Sequence, residues 1–163
     1  MKPWHLTVTI FVVLVAVFLF SQDFLAKAAW NRFNRPDIAV LLIRHDADFA
    51  MLLGNYYFGG TLGKSEYDLK KAEVAFRRAV AANPNILWGH YQLARILFIK
   101  GDHKGALEEI SRELEGNPEN LRSLYVRGLI YGYRNWPGDL ALAEADFRRF
   151  TQWAPKEWAG YND

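Results

Sequence analysis

The sequence of 163 residues contains no cysteine. It therefore has no disulfide bond, no thiolate ligand for a metal, no cysteine nucleophile and no lipid anchor of the kind attached to cysteine. This absence does not identify a compartment, because cysteine-free proteins occur on both sides of a membrane.

The chain also lacks a large excess of one charge, since 20 basic and 18 acidic residues give a net charge of +2. Residues 1–35 hold four of the basic residues and one of the acidic ones, which leaves residues 36–163 almost neutral. Nucleic-acid binding usually needs a concentrated basic face. We therefore expect no nucleic-acid partner.

Residue patterns of an active site are missing as well. No serine lies in a Gly-x-Ser-x-Gly frame. The glycine-rich stretch 59–64 has neither the spacing of a phosphate-binding loop nor a preceding strand, and we expect a flexible turn there. His45, Asp46 and Asp48 are the only local cluster of metal-ligand types, and no second half of a site lies elsewhere. The sequence thus predicts a protein that is not an enzyme and binds no metal, cofactor or small-molecule substrate.

A long apolar run stands at the N-terminus. From Leu6 to Phe20 no residue is charged, and the 18 residues 4–21 span roughly 27 Å as a helix, close to the thickness of a bilayer core. A cleaved signal peptide is the alternative, with residues 26–28 as a cleavage site, but its apolar core is usually shorter. The pattern favours an uncleaved transmembrane anchor over residues 1–22, in contact with lipid through residues 4–21.

The side of the membrane stays open. Lys27, Arg32 and Arg35 follow the apolar run and outnumber Lys2, which favours a cytoplasmic body. A short N-terminus before one apolar run is also compatible with a signal-anchor that exports the body. We expect a single-pass protein of the cell (inner) membrane.

A juxtamembrane linker and capping segment is predicted over residues 23–46. Residues 22–35 mix aromatic and basic side chains, which suits either an interfacial helix or a continuation of the anchor helix into water. Pro36 fits a first helical position, and residues 36–46 are predicted to form a short capping helix or an apolar strap over the first repeat.

The rest of the chain repeats itself. Pro84, Pro118 and Pro155 close three similar stretches, spaced by 34 and 37 residues. Each stretch places a small residue on a first helix and an alanine on a second helix, which allows close approach of the two: Gly54 and Ala72, Ala94 and Ala106, Gly128 and Ala143. Residues 68–78 and 139–149 are also identical at most positions. The glutamates of the second stretch, Glu108, Glu109, Glu113 and Glu115, are predicted to form a solvated helix face.

These residues resemble the tetratricopeptide repeat (TPR). The resemblance implies an all-α chain in which an α-solenoid of about three helical hairpins follows the membrane helix. The hairpins are expected at residues 47–84, 85–118 and 119–155, and a C-terminal tail at 156–163, where Trp158 and Tyr161 fold back on the last hairpin. Members of this family bind other proteins in a concave groove lined by the first helix of each hairpin.

The groove residues implied by the resemblance are of the aromatic and arginine types that dominate binding energy at interfaces. They are Trp88, Tyr91, Arg95, Phe98, Arg122, Tyr125, Leu129 and Tyr133, with Asp48, Met51 and Asn55 in the first hairpin. The family's clamp for chaperone tails uses Lys and Asn side chains, for which only Asn55 and Arg122 are candidates here. We therefore expect a hydrophobic helix or loop of a membrane-associated protein as the partner.

Two roles remain open on the sequence. The first is a membrane-anchored adaptor or assembly scaffold, whose tethering raises its effective concentration at the membrane. The second is a stoichiometric subunit of a larger membrane complex. The apolar run has no Gly-x-x-x-Gly face, so it gives little support for tight helix pairing.

Overall fold

A computed structural model of the chain describes residues 3–59 and 67–153, and all regular structure in these ranges is helical. The helices are α1 (Pro3–Asn31), α2 (Pro36–Leu42), α3 (Ala47–Tyr57), α4 (Leu69–Ala82), α5 (Gly89–Ile99), α6 (His103–Gly116), α7 (Arg122–Arg134) and α8 (Asp139–Trp153). They form two compact units, Met1–Ala82 and Asn83–Asp163. The predicted all-α class is confirmed.

Helix α1 bends by 46° between Thr7–Phe18 and Ser21–Asn31. The hydroxyl of Ser21 donates to the carbonyl of Phe18 at the bend (3.0 Å), a bond that competes with the helical ladder. In the part of the chain that is described, no single helix is long and apolar enough to cross a bilayer. The two segments of α1 reach that length and composition only as a bent pair.

The second half of α1 packs on the first unit. Its residues Gln22, Ala26 and Ala29 are buried. The carboxylate of Asp23 accepts the backbone N–H of Arg44 at 2.6 Å. Lys27 pairs with Asp46, which raises the pKa of Lys27 and lowers that of Asp46. The helix thus continues past the expected boundary at residue 22 and is fixed to the start of α3.

A short helix, α2, begins at Pro36, where the sequence predicted a helix or an apolar strap. Pro36 stands at its start, where the missing N–H costs nothing, and Ala39 and Val40 are buried. Asp37 binds the guanidinium of Arg35 at 2.8 and 3.0 Å, which lowers the pKa of Asp37 to about 2. Of the two alternatives for this segment, the structure has the helix.

The first hairpin consists of α3 and α4. Asp46 caps α3 by accepting from Phe49 N at 2.9 Å, and Asp68 caps α4 by accepting from the N–H of Lys70 and Lys71. Gly54 touches the ring of Phe76 so closely that a Cβ would clash. The close approach explains why this repeat has glycine at that position. Most of the stretch 59–64 lies outside the described residues.

The second hairpin, α5 and α6, turns at Gly101. Its φ of +79° is a conformation that glycine adopts without strain. Asp102 then caps α6 by accepting from Gly105 N at 2.9 Å. Ala94 and Ala106 are both fully buried in one apolar cluster, as their size predicted.

The third hairpin, α7 and α8, packs its first helix on α6. A Cβ at Gly128 would lie 2.7 Å from the ring of Phe147. A bidentate ion pair joins Arg127 to Asp146 at 2.7 Å for each bond and raises the pKa of Arg127. The predicted tail at 156–163 lies outside the described residues.

Candidate protein-interaction surface

Helix α5 begins with a strained residue. Trp88 has φ +70° and ψ −1°, a left-handed conformation that is rare for a bulky side chain. Its backbone N–H donates to the carboxylate of Glu113 at 3.1 Å, and the N–H of Tyr91 donates to the same carboxylate at 3.2 Å. Glu113 of α6 thereby caps the N-terminus of α5 and holds Trp88 in place.

The prediction of a solvated glutamate face is therefore wrong for two of its four members. Glu113 is fully buried, and Glu109 is 9% exposed. Glu113 also accepts from the side-chain amide of Asn120 at 2.9 Å, so its charge is met by several donors. Glu108 and Glu115 are exposed as expected. The signal was present: positions 109 and 113 follow Ala106 and Ile110 by three residues and flank their apolar stripe.

Glu109 holds a buried histidine. His90 Nδ1 lies 2.6 Å from Glu109 Oε2, and His90 Nε2 lies 3.1 Å from the carbonyl oxygen of Pro84. The imidazole ring thus lies between a carboxylate and a backbone carbonyl, both of which are hydrogen-bond acceptors. These bonds fix the start of α5 to the preceding turn and to α6 below Trp88.

Four of the predicted groove residues form one cluster. The rings of Trp88 and Tyr91 meet edge to face with their centroids 5.2 Å apart. The guanidinium of Arg122 lies 5.9 Å from the Trp88 ring, and that of Arg95 lies 5.6 Å from the Tyr91 ring. Arg122 is exposed and forms no ion pair with any residue in the described ranges. We call these four residues the Trp88 cluster.

A second aromatic contact follows further along the same two helices. Phe98 of α5 and Tyr133 of α7 have their ring centroids 5.3 Å apart. Phe98 also packs on the apolar cluster of Ala94 and Ala106, whereas Tyr133 is 71% exposed. The ring of Tyr133 is thus accessible to a partner, and its inner side contacts the ring of Phe98.

The remaining candidates lie differently. Tyr125 packs on Phe147 and Phe150, with centroids 5.7 and 5.5 Å away, and belongs largely to the core of the third hairpin. Leu129 is half-buried on α7. Asp48, Met51 and Asn55 lie on α3, in the first unit, with Asp48 exposed and the other two half-buried.

Sequence reasoning missed a cavity beside the Trp88 cluster. Its volume is about 640 Å³, and its lining is mostly apolar. It is lined by Leu87, Trp88, the turn 116–121 and Arg122. The side-chain oxygen of Asn120 at this cavity is buried and has no hydrogen-bond partner among the described residues. Only tertiary structure reveals the cavity, because the turn after α6 and the start of α5 are distant in sequence.

No group of three or more residues of metal-ligand type comes together in the described ranges. Of the cluster at 45–48, Asp46 serves as the cap of α3. His45 is exposed, and its Nδ1 lies 3.2 Å from Asp23. Both residues thus make contacts within the first unit.

Comparison with solved structures identifies the fold. The structure is similar to "Crystal structure of MamA", a TPR-containing protein, with a TM-score of 0.59, 20% identity, and coverage of 82% of this chain and 77% of that chain. It is also similar to "Crystal structure of MamA protein", with a TM-score of 0.59, 21% identity, and coverage of 89% and 77%. The fold is TPR-like.

At this identity the likeness concerns the TPR-like fold alone. No protein-family model matches the sequence, and no curated protein matches it significantly. The fold inferred from the three prolines and the small residues between them is therefore confirmed by structure rather than by a sequence relative.

Proposed function

We propose that this chain is a membrane-anchored, non-catalytic module that binds other proteins and serves as an adaptor or assembly scaffold. The observation that carries the proposal is the Trp88 cluster. The backbone of Trp88 is strained, and its ring lies beside the guanidinium of Arg122. Arg122 is exposed and has no ion-pair partner in the described ranges. Backbone strain that is maintained by a buried network is typical of functional positions.

The chemistry of this surface fits a peptide or helix of a protein. Tryptophan, tyrosine and arginine are the residues that most often anchor interfaces, and here they border an apolar cavity of about 640 Å³. A cavity of this size accepts one or two large apolar side chains of a partner. The likeness to a TPR-like fold supports the same role, because this architecture leaves one helix of each hairpin free for contact.

The anchor is the second part of the proposal. Apart from Thr9, the residues of α1 between Val8 and Phe18 are apolar, and they are largely exposed, as expected for a segment in lipid. We propose that this segment and the following bend place the protein in the cell (inner) membrane, with a membrane-associated protein as its partner. The basic residues after the run favour a cytoplasmic body.

The test is site-specific cross-linking in native membranes. A photoreactive amino acid at Tyr133 should give a defined adduct with the partner, and one at Leu140, which is 67% exposed on α8, should not give it. Trp88→Ala should weaken the adduct at position 133 by about 30-fold, the effect of losing an interface anchor. Circular dichroism checks that the variant remains folded. Identical adducts at positions 133 and 140 would contradict the proposal. So would an adduct at position 133 whose yield is unchanged by Trp88→Ala.

Tyr133 is a better site for this experiment than Tyr125, which is another predicted groove residue. Because Tyr125 packs on Phe147 and Phe150, its removal would destabilise the third hairpin and mimic a loss of binding. The alternative function, a stoichiometric subunit of a larger membrane complex, gives a different outcome. In mild detergent a subunit remains with its partners in fixed ratio, whereas an adaptor exchanges.

A further inference from the structure

We propose that the junction of α1 and α2 carries a second lipid-contacting surface, which seats the first unit on the headgroup region of an anionic membrane. We call this surface the apolar collar. It consists of Phe24, Leu25, Phe33, Ile38, Leu41 and Leu42. The inference goes beyond protein binding and rests on the anchor part of the proposed function.

The apolar collar is a groove with exposed borders. Leu25, Phe33, Ile38 and Leu42 line a cavity of about 400 Å³ together with Ala28, Ala29 and Arg35. Phe24 lies one helical turn before Ala28, and Leu41 lies three residues after Ile38, so both border the groove. Phe24, Phe33 and Leu41 are 74%, 65% and 63% exposed. Large apolar side chains concentrated in this way mark a contact surface.

The opposite side of the second segment of α1 packs against the rest of the first unit. Ala26 is fully buried, and the Trp30 ring meets the rings of Phe49 and Tyr56 edge to face. Asp23 and Lys27 bind the backbone and side chains at the start of α3. The segment therefore cannot rotate to hide Phe24 and Phe33 against its own unit.

Connectivity points to lipid as the occupant. Phe24 follows Phe18, the last residue of the first segment, by roughly 9 Å along the helix. The second segment, Ser21–Asn31, is roughly 16 Å long, and the bend of 46° reduces its advance along the first segment to about 11 Å. A tilt of the first segment by about 20° in the same sense reduces this to about 7 Å. The collar then stays within the interfacial depth that amphipathic helices occupy.

Charge complementarity supports an anionic membrane. Arg32 directly precedes Phe33, is exposed, and makes no ion pair with another described residue. The neighbouring cations are compensated, Arg35 by Asp37 and Lys27 by Asp46. Arg32 is thus the cation of this surface that can meet a lipid phosphate.

The absence of cysteine allows a direct test on the full chain, because each single-cysteine variant accepts one fluorophore. Phe33→Cys and Leu41→Cys report on the apolar collar, and Val13→Cys reports on the anchor. Val74→Cys on α4 and Leu140→Cys on α8 are the controls, since both side chains are exposed and neither lines the groove of the collar. The labelled proteins are reconstituted in vesicles of phosphatidylcholine and phosphatidylglycerol with a quencher at the headgroup or deep in the acyl chains.

We expect the headgroup quencher to act at positions 33 and 41 and not at 74 and 140, and the deep quencher to act at position 13. Quenching at 13 without quenching at 33 and 41 overturns the collar and leaves the anchor intact. Quenching at 33 and 41 without quenching at 13 supports the collar and removes the anchor. Disulfide-linked dimers of Phe33→Cys without lipid quenching assign the groove to a second copy and overturn the inference.

Arg32→Gln tests the anionic component. It should abolish the increase in headgroup quenching at position 41 that phosphatidylglycerol produces, whereas Lys104→Gln, an exposed cation on α6, should not. An unchanged lipid dependence in Arg32→Gln overturns the assignment of Arg32. Cross-linking at Tyr133 does not involve the collar, so failure of protein binding is read separately.

Discussion

The second and third hairpins solve the same packing problem with different residues. In the second, Ala94 on the first helix shares a buried cluster with Ile110 on the second helix. In the third, Gly128 touches the ring of Phe147. A smaller residue on one helix is matched by a larger one on the other, which conserves the volume between them. The apolar packing between the two helices is therefore maintained in both hairpins although the residues differ.

The two hairpins also differ in the polar contacts that join their helices. The second hairpin buries Glu113, which accepts from backbone N–H groups at the start of α5. The third hairpin joins its helices through Arg127 and Asp146, and closes its turn through Arg134 and Asp139, with bonds of 2.6 to 2.9 Å. The apolar pattern therefore specifies a helical hairpin, whereas the buried polar contacts determine the conformation of the residues at its ends. Among the hairpins in the described ranges, the one with the buried glutamate has a tryptophan in a strained conformation at the start of its first helix.

The largest expected effect concerns Glu113. Glu113→Ala leaves the N–H groups of Trp88 and Tyr91 and the amide of Asn120 without their acceptor. It should lower the free energy of unfolding of the second unit by about 3 kcal/mol. Glu115→Ala, an exposed glutamate on the same helix, should change it by less than about 0.5 kcal/mol. Urea unfolding of the detergent-solubilised chain, followed by circular dichroism, measures both. Equal effects of the two variants would mean that the carboxylate does not close this hairpin.

The matched volumes predict a rescue in the third hairpin. Gly128→Ala puts a Cβ 2.7 Å from the Phe147 ring and should destabilise the chain by about 1 to 2 kcal/mol. Adding Phe147→Ile recreates the alanine and isoleucine combination of the second hairpin and should recover most of that loss. The same unfolding assay compares the single variants with the double one. A double variant as unstable as the sum of its parts would show that the two hairpins do not share this rule.

The smallest effect is a pH dependence that belongs to the third hairpin. The ion pair with Arg134 lowers the pKa of Asp139 below its ordinary value of 3.8 and raises that of Arg134. Because the folded state favours the ionised carboxylate, this pair stabilises the fold above the ordinary pKa, and the contribution is lost as the pH falls through the lowered value. Asp139→Asn should therefore reduce the loss of stability in acid.

The control for this prediction is Glu144→Gln on the same helix, whose side chain is 63% exposed. Denaturant midpoints of the three proteins, measured as the pH is lowered below about 4, give the comparison. An unchanged slope in Asp139→Asn would place the acid sensitivity in other carboxylates.

The sequence by itself determined the repeats. The prolines at 84 and 118, the glycine at 101 and the small residues at 54, 94 and 128 are local signals, because helix period, helix ends and the size allowed between two helices are encoded within about 40 residues. They were sufficient for the order of the hairpins, whereas the rings of Phe76 and Phe147 that contact Gly54 and Gly128 were not predicted as their partners.

Tertiary structure alone decided the properties of the surface. Glu113 is buried because the start of α5 lies against it, and Tyr125 is a core residue because Phe147 and Phe150 of α8 cover it. The apolar collar likewise forms where α2 packs beside the second segment of α1. A residue at the flank of a helical stripe is buried or exposed according to its neighbour, and the position of that neighbour is not encoded in the period of the stripe.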